Sequence, residues 1–384
     1  MSGEPQLLPE PDRVQGAPHP RETARVIGQS RAETDFLTAY TGGRLHHGWL
    51  MTGPRGVGKA TLAWQIARFL LATPPAQDDG LFGAPPPPSS LHIDPEHPVA
   101  RRMRVLSEPG LHLVRRGGAG STDREREKAL AEGRFSAMIR VDEIRELAHF
   151  FSLSATDGGR RVVIVDAADE LNTQAANAIL KMLEEPPART TLLLISHQPA
   201  RLLPTIRSRC RELRLTPLTP ANMTEALAQA RIDVPEQEAA ALTELAGGSV
   251  GAAIRLLNLD GLAIYRDLVA VLGSLPNLDR PRLLSLSDSC AGKTRENRLD
   301  LLLTLTDQLT ARIARTGAIG QPPRTEAAPG EFKALARLAP DAAAARRWAQ
   351  AAQEASDRAR HAHSVNVDPA ALVTDLFLQL SRAY

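Results

Sequence analysis

The chain has 384 residues, 43% of them hydrophobic and 23% charged, with 29 prolines and only 4% aromatic side chains. This length exceeds one ordinary domain and predicts two or three. A net charge of +2 is too small to indicate a nucleic-acid-binding surface by itself. The two cysteines, Cys210 and Cys290, exclude a disulfide framework and a cysteine-rich zinc site, and they suit a reducing compartment.

The N-terminal stretch carries prolines and acidic residues where a secretion signal needs an uninterrupted apolar run. No apolar run in the chain reaches the roughly 18–20 residues that span a bilayer. We therefore expect residues 1–20 to form a flexible tail and the protein to be cytoplasmic.

A glycine-rich stretch, GPRGVGKA at residues 53–60, follows a short buried strand predicted at residues 48–53. Apolar residues then recur at helical spacing, namely Leu62, Ile66, Phe69 and Leu70. A strand, a glycine loop and a helix in this order are the setting that a phosphate-binding loop requires.

A proline-rich insertion at residues 73–98 separates this helix from the next predicted strand and is typical of a loop. It contains four potential metal ligands, His92, Asp94, Glu96 and His97. Because the insertion has no thiol and no recognised ligand spacing, we interpret it as a plain polar loop and expect no metal.

Strands and helices continue to alternate as far as residue 218. Further strands are predicted at residues 111–114, at the start of 160–171, at 191–196 and at 211–218. Amphipathic helices are predicted over 141–151 and over 172–187, the second beginning with Asn172 as N-cap and ending at Pro186 and Pro187. This alternation predicts a parallel α/β sheet with its ligand crevice at the carboxyl ends of the strands.

After Pro220 the strand signals stop and only helices are predicted. One helix face is lined by Leu302, Leu305, Leu309 and Ile313, a loop is expected at 321–331, and the last helix begins with Asp368 as cap and Pro369 at its first position. We expect four parts: a tail at 1–20, a P-loop α/β domain at 21–217, a small helical domain at 218–260 and a C-terminal helical domain at 261–384.

The glycine loop supplies the first candidate site. Its backbone N–H groups, the N-terminus of the following helix and the charge of Lys59 are suited to phosphate oxygens. The pattern G-x-x-x-x-G-K-[ST] is broken at Ala60, where a hydroxyl would hold Mg²⁺, and Thr61 points about 100° away on the helix. Bound ATP or ADP and a structural remnant both remain open. The candidate residues are Gly53, Gly56, Gly58, Lys59 and Thr61.

Two further candidate sites follow in the chain. Asp166 ends a predicted strand, where an aspartate helps to hold Mg²⁺ in P-loop ATPases, but Ala167 replaces the glutamate that activates water, and Asp169 is better explained as a helix cap. Hydrolysis is therefore not expected. Arg209 lies in TIRSRC at 205–210, and its planar fork is suited to phosphate. On its chemistry alone, a surface arginine before a strand is the favoured interpretation.

The stretches GPRGVGKATLA, VVIVDAADELNTQAANAILKMLEEPP and LLPTIRSRC together resemble the clamp-loader branch of the AAA+ ATPases, and within it the delta-prime family of bacterial DNA polymerase III. The resemblance runs from about Val26 to Leu257, with weaker support from NVDPAALVTDLFLQL near the end. It implies an AAA+ P-loop α/β core, a helical lid and an all-α collar that joins a pentameric ring. In the family, the arginine that matches Arg209 acts in trans on the adjacent subunit's ATP.

The resemblance also implies partners: the gamma/tau motor subunits, the delta subunit, the sliding clamp, and primed DNA through the assembled ring. Motor subunits carry Ser or Thr at position 60, Glu at 167 and a lid arginine at 251, where this chain has Ala60, Ala167 and Gly251. The departures indicate a non-hydrolysing component of the DNA-directed DNA polymerase III holoenzyme, a nucleotidyltransferase. No cofactor is required, and no zinc is expected because the four-cysteine module of many relatives is absent.

Two alternatives remain. The first is an ATP-hydrolysing motor subunit of the same complex, which the three departures disfavour. The second is a free-standing DNA-binding protein that uses the basic clusters at 100–104, 115–116 and 159–161. The small net charge disfavours it.

Overall fold

The computed structural model describes residues 9–73, 87–152, 159–292 and 296–384. Part of the predicted tail, residues 1–8, and part of the insertion, residues 74–86, therefore lie outside the described residues. The chain divides into two compact units, the first comprising Met1–Ile232 with Ser249–Gly251 and the second Asp233–Gly248 with Ala252–Tyr384. The division into core, lid and collar stays a prediction.

The first unit is built on a five-stranded parallel sheet with the strand order β2-β3-β4-β1-β5. The three central strands are buried on both faces, as their continuous apolar sequences predict. The predicted parallel α/β fold is thereby confirmed. The strands are β1 (Gly48–Thr52), β2 (Leu111–Arg115), β3 (Arg161–Asp166), β4 (Thr190–Ile195) and β5 (Arg211–Arg214).

The last strand is shorter than predicted, since β5 ends at Arg214 rather than near residue 218. Beyond it, the side chain of Gln29 replaces a neighbouring strand: its amide accepts from the N–H of Thr216 (3.1 Å) and donates to the Thr216 carbonyl (2.8 Å). Pro217 follows and has no N–H to continue a ladder.

Helices cover both faces of this sheet. One face packs against α5 and α6, through Ile144, Leu147, Ile179 and Leu183, all of which are buried. The mostly apolar α2 is buried along most of its length, including its polar residues Lys59, Gln65 and Arg68. The helices of this part of the chain are α1 (Ser30–Thr41), α2 (Lys59–Ala72), α3 (Pro98–Arg104), α4 (Asp123–Ala131), α5 (Val141–Ser152), α6 (Thr173–Glu184), α7 (Pro204–Arg207) and α8 (Pro220–Gln229).

From α9 onward the described chain is helical. The predicted apolar face of α13 is confirmed, because Leu302, Leu305, Leu309 and Ile313 are all buried. No single helix in the described parts of the chain is long and apolar enough to cross a membrane. The helices α9 and α10, which are bent relative to each other, together have the length and composition of a membrane span. The helices are α9 (Glu236–Leu245), α10 (Val250–Asn258), α11 (Gly261–Gly273), α12 (Arg280–Ser289), α13 (Glu296–Ile319), α14 (Glu331–Leu338), α15 (Ala342–Ser364) and α16 (Pro369–Leu380).

The start of α16 follows the sequence prediction. Asp368 caps the helix by accepting from the N–H of Ala371 (2.9 Å), and Pro369 occupies the first helical position, where its missing N–H costs nothing.

A buried ion pair holds helices of the second unit together. Glu331, at the start of α14, is fully buried and accepts from the Tyr265 hydroxyl of α11 (2.6 Å) and from the N–H of Ala327 (2.6 Å). Arg312 of α13 pairs with the same carboxylate (2.7 Å) and, through another nitrogen, with Glu244 of α9 (2.6 Å). Every oxygen of the buried carboxylate therefore has a partner, as a buried charge requires.

Replacing Glu331 with Ala should lower the free energy of unfolding of the second unit by about 3–5 kcal/mol, because the Tyr265 hydroxyl then loses its partner and the largely buried guanidinium of Arg312 loses its buried counter-charge. Calorimetric or denaturant unfolding measures this loss. The exposed Glu354→Ala on α15 is the control and should change stability by less than about 0.5 kcal/mol. Adding Arg312→Met to Glu331→Ala should recover part of the loss, and a loss below about 1 kcal/mol for Glu331→Ala would contradict the role of the pair.

Candidate functional site

The glycine loop has the geometry that its sequence predicts. Gly53, Gly56 and Gly58 all have positive φ (140°, 78° and 100°), and Gly58 is the N-cap of α2, so the helix N-terminus opens at the loop. A Cβ atom at Gly53 would lie 2.5 Å from the Leu215 carbonyl oxygen, which only glycine avoids. The strand, loop and helix are therefore arranged as in a phosphate-binding loop.

The side chain of Lys59 points back into the glycine loop. The side chain is buried, and Nζ donates to the carbonyl oxygens of Gly53 (2.7 Å) and Pro54. Burial lowers the pKa of Lys59 to about 8, although the carboxylates of Asp166 and Asp169 act in the opposite direction. The amino group that would meet the outer phosphates is thus satisfied by backbone.

Asp166 ends β3 at the same edge of the sheet. Burial, together with the negative charges of Asp12 and Glu170, raises the pKa of Asp166 to about 7. A raised pKa disfavours the ionised carboxylate, the form that Mg²⁺ prefers as a ligand. Ala167 is buried next to it and offers no general base.

Asp169 does not cap the following helix, so that expectation is wrong. Its Oδ1 accepts from the N–H of His197 (2.9 Å), across the end of β4. The cap of α6 is Asn172, as the sequence predicts, through a bond from the N–H of Ala175 (2.8 Å). A 3₁₀ turn at Ala168–Glu170 carries Asp169 away from the helix N-terminus and toward β4.

Two polar residues that the sequence did not single out follow β4 at this edge. Ser196 is fully buried, and neither its Oγ nor Nδ1 of His197 has a hydrogen-bond partner among the described residues. Burial lowers the pKa of His197 to about 4, and the positive charge of Lys59 adds to this effect, so the ring is neutral at pH 7.

Residues 9–20, here called the N-terminal strap, are not a free tail, and the prediction of a flexible tail does not hold for them. Asp12 accepts from Arg115 at the end of β2 (2.9 Å) and contacts His19 (3.0 Å). Glu10 accepts from both Arg21 (2.6 Å) and Arg115 (3.0 Å). The two carboxylates are 7% and 4% exposed, so these are buried pairs rather than solvated ones.

The strap crosses the carboxyl edge of the sheet. Arg115, which it pairs with, is the register partner of Asp166. Farther along the strap, Val14 Cγ2 lies 3.8 Å from where a Cβ of Gly251 would be. Gly251 in turn donates its N–H to the Gly56 carbonyl (3.3 Å) in the glycine loop. The strap therefore runs from β2 to the tip of the loop, along the edge where a nucleotide would bind.

The tip of the glycine loop is closed by the residues at the start of α10. A Cβ at Gly56 would lie 2.2 Å from Ser249 Oγ and 3.1 Å from the Gly251 nitrogen. Gly251 therefore lies against the loop and brings no side chain to it. Ala60 has no hydroxyl, Lys59 points inward and the Asp166 carboxyl has a raised pKa, so this loop does not match the usual ligand set of a magnesium nucleotide.

Arg209 lies on the surface after α7, and its side chain is 37% exposed. Its Nη1 donates to the Thr205 carbonyl (3.1 Å), and its Nη2 pairs with Glu184 Oε1 (2.9 Å) at the end of α6. Burial raises the pKa of the neighbouring Cys210 thiol to about 12, so this cysteine is a packing residue rather than a nucleophile.

Arg209 and the glycine loop lie at opposite ends of β1. A Cβ at Gly48, the first residue of β1, would lie 3.2 Å from the Arg209 carbonyl, whereas the loop follows Thr52, the last residue. At about 3.3 Å per residue, β1 spans about 13 Å. The sheet therefore keeps Arg209 away from its own chain's phosphate loop.

The described end of the proline-rich insertion has ordinary structural roles. His97 caps α3 by accepting from the N–H of Val99 (3.3 Å), and Asp94 accepts from the N–H of Glu96 (2.8 Å). Among the described residues, no group of three or more His, Cys, Asp or Glu side chains is arranged to hold a metal ion.

Comparison with known proteins gives a consistent result. A family model described as "DNA polymerase III, delta subunit" matches residues 28–219, half of the chain. The "DNA polymerase III subunit delta'" of Pseudomonas aeruginosa is 37% identical over 222 residues, 57% of this chain and 59% of that protein. The protein of the same name from Escherichia coli is 30% identical over 251 residues, 65% of this chain and 66% of that protein.

A third relative carries a different subunit name. The "DNA polymerase III subunit gamma/tau" of Mycobacterium tuberculosis is 30% identical over 212 residues, 55% of this chain but 31% of that protein. The chain thus spans less than two thirds of the length of each of these three relatives.

Replacing Asp12 with Asn tests the buried pairs of the strap. Burial alone would raise the pKa of Asp12, but the bond to His19 and the charge of Arg115 outweigh it and lower the pKa to about 2, from an ordinary value of 3.8. A carboxyl group whose pKa is lowered by folding stabilises the folded state at pH values above its ordinary pKa. This contribution is lost as the pH falls through the lowered pKa. The variant should be less stable than wild type by about 2 kcal/mol at pH 7, and the difference should shrink below pH 4.

Denaturant unfolding between pH 7 and pH 3 measures this difference. In a Trp348→Phe background the two remaining tryptophans, Trp49 and Trp64, both report on the first unit. Asp35→Asn, on the exposed side of α1, is the control. A stability difference between Asp12→Asn and wild type that does not depend on pH would contradict the assignment.

Proposed function

The chain belongs to the DNA polymerase III delta subunit family, and from this premise we propose that it is a non-hydrolysing, delta-prime-type subunit of a clamp loader. In this role it helps to load the sliding clamp on primed DNA during replication in the bacterial cytoplasm. It presents Arg209 to the ATP of a neighbouring subunit and does not hydrolyse ATP itself.

The observation that carries this proposal is the position of Arg209. It is a partly exposed guanidinium at the amino end of β1, about 13 Å of strand away from its own phosphate loop. A side chain there cannot serve the nucleotide site of its own chain. It is available to a second subunit that packs against this edge, where its planar fork matches phosphate oxygens.

The structure of the chain's own glycine loop supports the proposal that this chain does not hydrolyse ATP. Ala60 lacks the magnesium-binding hydroxyl, Lys59 bonds its own loop, and Asp166 has a pKa near 7. Phosphoryl transfer depends on positioning and charge stabilisation by metal, lysine and a water-orienting residue, and here each of these is altered. The loop thus serves as a structural element, with ATP or ADP as a passive occupant at most and no zinc or other cofactor required.

The partners in this proposal are the gamma/tau motor subunits, the delta subunit, the clamp, and primed DNA held by the assembled ring. The helices of the second unit form the part that joins the ring. A relative named gamma/tau supports a shared architecture between this chain and the motor subunits.

Arg209→Ala should reduce the DNA-stimulated ATPase of the reconstituted complex. An arginine finger contributes roughly 10³–10⁵ in rate at the site that it serves, so loss of one among several sites should give a visible fall in total turnover. Because the guanidinium acts on developing charge, kcat should fall more than the affinity for ATP. Arg209→Lys keeps the charge but loses the fork and should recover only part of the rate.

The matched control is Arg207→Ala, which removes an exposed arginine two residues earlier, in the last turn of α7. It should leave turnover unchanged. Complex assembly is checked by mass measurement for each variant. If assembled Arg209→Ala complexes hydrolyse ATP at the wild-type rate, the proposed role is wrong.

The isolated chain should show no steady-state ATP hydrolysis, since hydroxyl, base and lid arginine are all missing. Phosphate release by the purified chain, with and without primed DNA, measures this. Steady hydrolysis that Lys59→Ala abolishes would instead support a motor subunit.

A further inference from the structure

We propose that Glu184 is a positioning residue for Arg209: it orients the guanidinium that acts on the neighbouring subunit. This inference rests on the proposed function. Its basis is the 2.9 Å pair between Arg209 Nη2 and Glu184 Oε1, which joins the end of α6 to the turn after α7.

The backbone that carries Glu184 is held firmly. It is the last residue of α6, and the preceding Leu183 is buried in the core. The Leu183 carbonyl bonds to His47 Nε2 (2.9 Å), and Leu183 Cδ2 lies 2.9 Å from where a Cβ of Gly48 would be. The carboxylate therefore projects from a rigid point, which a positioning residue requires.

The start of β1 also packs against the backbone of Arg209. The Arg209 carbonyl lies 3.2 Å, and the Cys210 sulfur 3.3 Å, from the position of a Gly48 Cβ. A side chain at residue 48 would push both segments away, so glycine lets the end of α6 and the turn of Arg209 meet at β1. The backbone segments that carry Glu184 and Arg209 therefore both pack against the start of β1.

Two contacts define the orientation of the guanidinium. Glu184 engages Nη2 and the Thr205 carbonyl engages Nη1. Because the guanidinium is planar, holding both terminal nitrogens fixes the plane of the group. Arg209 carries five N–H donors, so further donors remain for phosphate oxygens.

The pair of Glu184 with Arg209 is strong enough to orient the guanidinium but too weak to withhold it from a phosphate. Glu184 and Arg209 are 48% and 37% exposed, and pairs of this exposure contribute only about 0.2–1 kcal/mol. A triphosphate with its larger charge can therefore approach the guanidinium without first breaking a strong contact. A carboxylate at the C-terminus of a helix also opposes the helix dipole, so helix stability does not account for Glu184.

The test uses the reconstituted complex with primed DNA and measures ATP turnover and ATP affinity. Glu184→Ala should lower kcat about threefold to tenfold at the affected site, below the roughly 10²-fold of a full ångström of misplacement, because the Thr205 contact remains. The affinity for ATP should not change. Glu184→Gln keeps an acceptor oxygen and should restore most of the rate, a rescue that a purely electrostatic role would not give.

A double-mutant cycle assigns the effect to Arg209. In an Arg209→Ala background, Glu184→Ala should cause no further loss, since the group that it positions is gone. Glu185→Ala is the matched control: this next residue is also exposed, and the structure shows no ion pair for it among the described residues. The control should turn over like wild type.

The outcomes separate the two levels of the proposal. If Arg209→Ala lowers turnover but Glu184→Ala leaves it unchanged, or raises it, the positioning role is wrong and the proposed function stands. The same holds if Glu184→Ala lowers turnover further in the Arg209→Ala background, or if Glu184→Gln fails as badly as alanine. If Arg209→Ala has no effect, the proposed function and this inference both fail.

Discussion

All five strands of the sheet run in the same direction, and this constraint decides what each edge of the sheet can do. The carboxyl ends of the strands bring the glycine loop, Asp166 and the residues after β4 together at one edge. The amino end of β1 holds the turn of Arg209 at the other. A residue at one edge cannot help the chemistry of the other edge in the same chain, but it can do so in an adjacent subunit.

At the carboxyl edge, opposite charges are satisfied within the chain. The strap brings Glu10 and Asp12 to Arg115, and the nearby negative charge of Asp12 contributes to the raised pKa of Asp166. Lys59 bonds carbonyl oxygens of its own loop. Each of these contacts engages a charged group of the carboxyl edge within the chain itself. At the amino edge, by contrast, the guanidinium of Arg209 stays accessible to solvent.

The sequence predicted features whose signals are local. The strands, the glycine loop, the Asn172 cap and the apolar face of α13 follow from periodicity and short motifs. The helix α4 was missed, although the capping box of Thr122 and Glu125 was readable. The strap was missed because the pairs that tie it to β2 join residues about one hundred positions apart, such as Asp12 and Arg115. The pair of Glu184 with Arg209 depends on how α6 meets the end of α7, which no local pattern reveals.

The central claim is that Arg209 serves a site in another subunit, and the most direct measurement is a structure of the assembled complex. Cryo-electron microscopy of this chain with gamma/tau and delta subunits, clamp, primed DNA and a non-hydrolysable ATP analogue would locate the side chain. We expect the guanidinium to lie within about 3 Å of the neighbouring subunit's γ-phosphate oxygens. An Arg209 side chain that faces bulk solvent, with no adjoining triphosphate, would contradict it.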